Sequence, residues 1–127
     1  MIIYNELVER CFFKPCHAGI LDCSEPYTVH ARAGYPGRSG HFDLYLQCDS
    51  GLVKKARFKA FGNPYLIAGL ELLCEQVENS SLNGHPCFEH SKLARRLDLP
   101  KNQQQLVFLI ETGYLSAINQ MKEKVEV

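Results

Sequence analysis

The sequence predicts an α+β fold in which helices pack on one side of a three-stranded antiparallel sheet. Three segments with the alternation typical of strands occupy the first half of the chain, and after residue 62 the apolar period changes from two to about 3.6. Because the strands precede the helices instead of alternating with them, one antiparallel sheet covered by helices is favoured over a parallel α/β sheet. The length of 127 residues suits a single domain over residues 1–127.

The first half of the chain contains a short helix, a turn-rich loop and the three strands. Leu7, Val8 and Cys11 recur at helical spacing, which predicts an amphipathic helix over residues 4–12. The three strands are predicted at residues 27–33, 42–48 and 52–61. An Asp-Ser-Gly sequence at residues 49–51 separates the last two strands and predicts a hairpin, since glycine tolerates the positive φ that tight turns need.

Helices fill the second half of the chain. Asn63 and Pro64 open the first of them, because proline suits the first position of a helix. Its apolar stripe consists of Leu66, Ile67, Leu70, Leu73, Cys74 and Val77. A short helix at residues 90–97 follows a polar link and ends before a Leu-Pro break. The last helix, at residues 103–122, carries a wide apolar face that completes the core.

Composition excludes several classes of function. The 14 basic and 14 acidic residues balance to zero formal charge without a long run of one sign, so we expect no nucleic-acid partner. No segment approaches the roughly 20 apolar residues of a membrane span. Residues 1–13 lack the basic and long apolar regions of a signal peptide. We therefore expect a cytoplasmic protein without a membrane partner, whose six cysteines are thiols.

Four segments resemble a known family. Residues 56–62, Ala-Arg-Phe-Lys-Ala-Phe-Gly, are similar to the second ligand motif of IscU-type iron–sulfur scaffolds. Residues 34–40 resemble the first ligand loop of that family, and residues 97–100 with the helix after them resemble the region of the third ligand. Residues 14–19 resemble the segment after the family's first helix. The chain is therefore identified as a member of the family of IscU and the NifU N-terminal domain, which implies the same fold.

The resemblance also implies a degenerate ligand site. In the family, three cysteines and a nearby aspartate meet at one exposed site. Here Arg38 stands at the first cysteine, Gly40 at the aspartate, Asn63 at the second cysteine and Leu106 at the third. Clusters need thiolates, whereas arginine stays protonated, leucine has no donor atom and asparagine is a weak oxygen ligand. We therefore expect the protein to hold no cofactor.

Each substitution also has a simpler interpretation. Asn63 is a natural N-cap for the helix that Pro64 begins. Leu106 lies on an apolar helical stripe and would cover the former pocket with hydrophobic surface. Arg38 lies among glycines, where it either binds an anion or a partner's carboxylate, or is simply solvated.

Other cysteines and histidines offer an alternative metal site. His85, Cys87 and His90 fall within six residues, and Cys16 with His17 lies near Cys23 in sequence. Neither group contains the paired C-x-x-C knuckles of structural zinc sites, which argues against zinc there. Binding of zinc or an iron–sulfur cluster by these residues stays the alternative interpretation. The sequence contains no nucleophile–base arrangement and no P-loop, so we do not expect an enzyme.

The leading hypothesis is an adaptor or regulator that binds cysteine desulfurase or other assembly proteins. Candidate partner-binding residues are Arg38, His41, Leu99, Pro100 and Lys101. Only Leu99 and Pro100 match the family's chaperone-recognition stretch, which argues against recognition by the dedicated chaperone. A fold recruited to an unrelated interaction is the remaining alternative.

The basic residues of the third predicted strand form a separate group. They are Lys54, Lys55, Arg57 and Lys59. We expect only half of them to share a face, because side chains alternate along a strand. A solvated strand face is the expected role for most of them.

Overall fold

The computed structural model describes residues 4–35, 40–84 and 88–126. The strands are β1 (Thr28–Tyr35), β2 (Gly40–Asp49) and β3 (Leu52–Gly62). The helices are α1 (Glu6–Phe13), α2 (Pro64–Val77), α3 (His90–Leu97) and α4 (Gln105–Glu126), with a 3₁₀ turn at Lys101–Gln103 before α4. The three strands form one antiparallel sheet in sequence order, with β2 in the centre. The predicted α+β fold with a three-stranded antiparallel sheet is confirmed.

The β2–β3 hairpin closes on two residues. Asp49 pairs with Leu52, and the intervening Ser50 and Gly51 both have positive φ, of 55° and 81°. Two successive residues with positive φ are typical of the turns whose twist matches that of paired strands. The hairpin predicted at this Asp-Ser-Gly sequence is therefore confirmed.

Loop segments cover the outer edge of β3. Near the hairpin, the Val53 amide donates to Ser80 O at 2.8 Å. Further along the strand, the Phe58 amide donates to His17 O at 3.0 Å, and Ala18 pairs with Phe58 in parallel orientation. Because an exposed edge can pair with another chain, these contacts protect most of the strand from aggregation.

One face of the sheet carries the core. Its buried apolar side chains from β2 are Phe42, Leu44, Leu46 and Cys48, as the alternation predicts. Helix α4 packs closely on this face at Gly113, where a Cβ atom would lie 2.5 Å from the Phe42 ring. Helix α2 is buried on nearly all sides. The apolar faces of the sheet and of the helices thus share one core.

Two sequence expectations differ from the structure. The last helix begins at Gln105 and not at residue 103, because residues 101–103 form a 3₁₀ turn after Pro100. In β3, Lys55, Arg57 and Lys59 share the face away from the helices. Lys54 has no partner in β2, because the pairing register shifts between Gln47 and Cys48. The expectation that only half of the four basic residues share a face is therefore wrong, since three odd-numbered positions point the same way.

Among the described residues, no helix is long and apolar enough to cross a membrane.

Candidate functional site

Two of the positions singled out by sequence, Gly40 and Asn63, lie at one end of the sheet. There Gly40, the first residue of β2, pairs with Gly62, the last residue of β3. Asn63 follows directly and caps α2. We call the cluster of Gly40, Gly62, Asn63, Gln103 and Leu106 the ligand-position end. That these positions correspond to the family's ligand positions stays a prediction.

Gly40 has no room for a side chain. Its φ of 138° lies in the region that favours glycine, and a Cβ atom there would lie 2.9 Å from Leu66 Cδ2 and 3.1 Å from Phe61 O. A Cβ atom at Gly62 would lie 2.7 Å from the same Leu66 methyl group. Leu66 is fully buried, so this methyl group has little freedom to move. An aspartate at position 40 would therefore be strained in this fold.

Both polar atoms of the Asn63 side chain form hydrogen bonds within the protein. Its Oδ1 accepts a hydrogen bond from the Leu66 amide at 3.1 Å, which is the N-cap bond predicted from sequence. Its Nδ2 donates to Gln103 Oε1 at 2.9 Å. The second bond ties the start of α2 to the 3₁₀ turn before α4. Asn63 is thus a structural connector at the ligand-position end.

Leu106 lies in the first turn of α4 and is 1% exposed, so its side chain belongs to the core. Arg38 lies outside the described residues, and the interpretations of its role stay predictions. The side chains of Asn63 and Leu106 offer no thiolate, and Gly40 offers no side chain. These residues do not fit a cluster held by soft sulfur ligands.

The predicted partner-binding residues differ in accessibility. His41 is half-buried and stacks on Phe61, with ring centroids 5.0 Å apart. Lys101 is exposed and Pro100 is half-buried. Leu99 is buried, and its carbonyl accepts a hydrogen bond from Gln104 Nε2 at 3.1 Å. The Leu99 side chain therefore has little surface for a partner, whereas His41 and Lys101 have more.

The described cysteines fall into two groups. Cys11, Cys48 and Cys74 are buried, and burial raises the pKa of each thiol, which disfavours the thiolate that binds metal. Cys16 and Cys23 are exposed. Of the alternative ligands, His85 and Cys87 lie outside the described residues. Within the described ranges, no three His, Cys, Asp or Glu side chains are grouped to hold a metal ion.

The histidines in the described part of the chain have carboxylate or aromatic neighbours. His90 Nε2 lies 2.9 Å from Glu111 Oε1, and its ring contacts that of Phe108. On the face of the sheet away from the helices, His30 Nε2 lies 2.6 Å from Asp43 Oδ1. The imidazole rings of His30 and His90 are therefore engaged in local contacts within the fold.

The sequence did not predict a polar network that joins His17 to Glu71 and Arg57 to Glu78. The His17 amide donates to Glu71 Oε1 at 2.8 Å, and His17 Nδ1 lies 2.6 Å from Glu71 Oε2. Glu78 accepts from the Ala56 amide and from Arg57, at 2.9 and 2.7 Å. Burial raises the pKa of Glu78, but these bonds outweigh it and the pKa is lowered. The signal for this network was Glu71, an acidic residue with apolar neighbours on both sides in α2.

Comparison with known proteins gives the chain's relationships. Residues 3–127 match the family described as the NifU-like N-terminal domain. The chain is 28% identical over 122 residues to the iron–sulfur cluster assembly scaffold protein IscU of Haemophilus influenzae, covering 95% of this chain and 97% of that protein. It is 27% identical over 124 residues to IscU of Escherichia coli K12, covering 97% of each chain.

Solved structures support the same fold. The NifU-like protein (N-terminal) of Brucella abortus matches with a TM-score of 0.68 and 15% identity, covering 94% of each chain. The SUF-system protein FiSufU of Fervidobacterium islandicum AW-1 matches with a TM-score of 0.69 and 12% identity, covering 91% of this chain and 96% of that one. At these identities the likeness concerns the fold alone.

The relatives correct one expectation. The sequence interpretation expected no cofactor, but the matched proteins are named iron–sulfur cluster assembly scaffold proteins. That expectation is wrong, because it took the chemistry of four positions as a statement about the whole protein. Assembly of an iron–sulfur cluster is what the relatives' names describe.

Proposed function

This chain belongs to the NifU-like N-terminal domain family, and we propose that it serves iron–sulfur cluster assembly as a protein-binding adaptor or regulator and not as an enzyme. Its relatives are named cluster assembly scaffold proteins, which supports a place in the same process. Cysteine desulfurase and thiol-bearing scaffolds are the proposed partners.

One observation carries the proposal: the ligand-position end is built for internal contacts. Asn63 uses its amide to hold Leu66 and Gln103, and Leu106 is in the core. Gly40 leaves no space for a carboxylate. These contacts support a chain that keeps the family's fold and uses this end for internal structure, a combination that favours a role in protein contacts.

Accessible side chains next to this end supply a surface for a partner. Phe61 is 53% exposed and stacks on His41. Lys101 is exposed in the 3₁₀ turn, close in sequence to Gln103. An exposed aromatic side chain is typical of the residues that contribute to protein interfaces.

Binding of purified cysteine desulfurase to the immobilised full chain tests the proposal. We expect binding at low ionic strength, and Lys101→Glu should weaken it by about tenfold because charge at an interface rim governs the rate of association. Lys92→Glu, which changes an exposed lysine on α3, is the matched control and should bind as the natural chain does. The proposed function would be contradicted if the chain bound neither the desulfurase nor a cysteine-bearing scaffold.

A second candidate function is cluster or metal binding through other thiols. The exposure of Cys16 and Cys23 favours it, because an accessible thiol can be reached by iron. Anaerobic reconstitution with iron and sulfide, followed by desalting, tests this function. Visible absorption that persists after desalting in the natural chain and is absent from a Cys16→Ser/Cys23→Ser variant would support this function. A colourless natural chain would contradict it.

A further inference from the structure

The sheet face away from the helices carries an asymmetric arrangement of charge. We call this surface the open face; it presents Arg32, His41, Tyr45, Lys55, Lys59 and Phe61, with Asp43 and Arg57 between them. Although the whole chain has zero formal charge, the sheet strands place four basic side chains here against two carboxylates, Asp43 and, at the hairpin end, Asp49. Positive charge is therefore concentrated on this side of the molecule.

The existing ion pairs leave part of this charge uncompensated. Asp43 accepts from Arg32 Nε at 2.8 Å, and Arg57 donates to Glu78 at 2.7 Å. Among the described residues, no carboxylate forms an ion pair with Lys55 or Lys59. Both lysines are exposed on the edge strand β3, about 13 Å apart along it.

The positive charge lies mainly on the β3 side. At the β1 side, Cys23 and His30 line a shared shallow cleft, and the loop containing Cys23 also carries the acidic residues Asp22 and Glu25. On the β3 side, Lys59 Nζ lies 5.6 Å from the centre of the Phe61 ring. Phe61 in turn stacks on His41, so an exposed apolar ring lies at the end of the row of lysines.

We propose that the open face is a docking surface for an acidic protein segment that also carries an apolar residue. Lys55 and Lys59 would contact carboxylates of the segment, and Phe61 would cover its apolar side chain. A nucleic-acid backbone fits less well, because binding to it relies on clusters of basic residues in a strongly basic domain, whereas this chain has zero formal charge. The inference deepens the proposed function by stating the chemistry of the partner.

Two charge-reversal variants of the full chain test the docking surface. Lys55→Glu/Lys59→Glu changes the open face, and Lys92→Glu/Arg96→Glu makes a similar charge change at two exposed α3 positions with the same four-residue spacing. The probe is a synthetic peptide of alternating glutamates with one central leucine, titrated into ¹⁵N-labelled protein. An oligothymidine of similar charge is the nucleic-acid probe.

We expect the peptide to shift amide signals of β2 and β3, with affinity reduced about tenfold or more by Lys55→Glu/Lys59→Glu at low ionic strength. The α3 variant should bind as the natural chain does. Equal weakening by both variants, shifts confined to other elements, or tighter binding of the oligothymidine would each overturn the inference.

The same variants distinguish this inference from the proposed function. If desulfurase binds the Lys55→Glu/Lys59→Glu variant as well as it binds the natural chain, the function stands and the open face is not the surface used. If the acidic peptide binds the open face while no assembly protein binds the chain, the surface stands and the function fails.

Discussion

The side-chain amide of Asn63 donates a hydrogen bond of 2.9 Å to Gln103 Oε1, forty residues further along the chain. The same side chain caps α2 through the Leu66 amide. One asparagine therefore ties the sheet end, the start of α2 and the approach to α4 together, at a place where the family resemblance implies a cysteine.

Replacement of Asn63 should separate its two roles. Asn63→Ala removes the cap and the bridge and should lower the free energy of unfolding by about 1–2 kcal/mol. Gln103→Ala removes only the bridge and should cost less, because the cap remains. Urea denaturation followed by circular dichroism measures both values. Equal losses in the two variants would mean that the cap contributes nothing.

Gly40 should tolerate no side chain. Gly40→Ala should lower the free energy of unfolding by about 3 kcal/mol or more, because backbone strain and overpacking each contribute about 1–3 kcal/mol. Gly19→Ala is the matched control, since Gly19 has a similar φ of 148° and nothing within 4 Å of its Cβ position. Thermal denaturation compares the two. A smaller loss at Gly40 than at Gly19 would contradict the steric argument.

The His17–Glu71 contact should hold the segment that covers β3. Glu71→Ala should lower the free energy of unfolding by about 2–4 kcal/mol, because a cavity opens and the His17 amide loses its acceptor. Hydrogen exchange at the Phe58 and Gly19 amides, which pair across this edge, should become faster. Glu75→Ala, on the exposed side of the same helix, should leave both properties near their natural values.

Asp43 should make stability depend on acid pH. Burial alone raises the pKa of its carboxyl, but bonds and charges from Arg32 and His30 outweigh this and the folded pKa is lowered. A lowered folded pKa gives stabilisation that is complete above the unfolded value of about 3.9 and is lost as pH falls through the folded value.

Asp43→Asn should therefore lower stability at neutral pH by about 1 kcal/mol and reduce the loss of stability below about pH 4. Urea denaturation across this pH range measures the effect. Asp49→Asn, at an exposed hairpin position, should retain the natural acid dependence. An unchanged acid dependence in Asp43→Asn would contradict the assignment.

Much of the fold could be predicted because its signals are local. The alternation around Phe42 and Leu44 placed β2 and its buried face, and glycine at position 51 placed the hairpin. The start of α2 followed from Asn63 and Pro64. The start of α4 was missed because the 3₁₀ turn depends on contacts such as that of Gln104 with the Leu99 carbonyl.

The sequence by itself determined the order of strands and helices, the family resemblance and the identity of the side chains at the ligand-position end. These follow from residue types and from spacing between near neighbours. Only the tertiary structure decided that Leu66 excludes a side chain at Gly40, that Asn63 holds Gln103, and that His17 binds Glu71. The physical reason is that these partners are separated by 26, 40 and 54 positions in the chain, so only packing brings their atoms together.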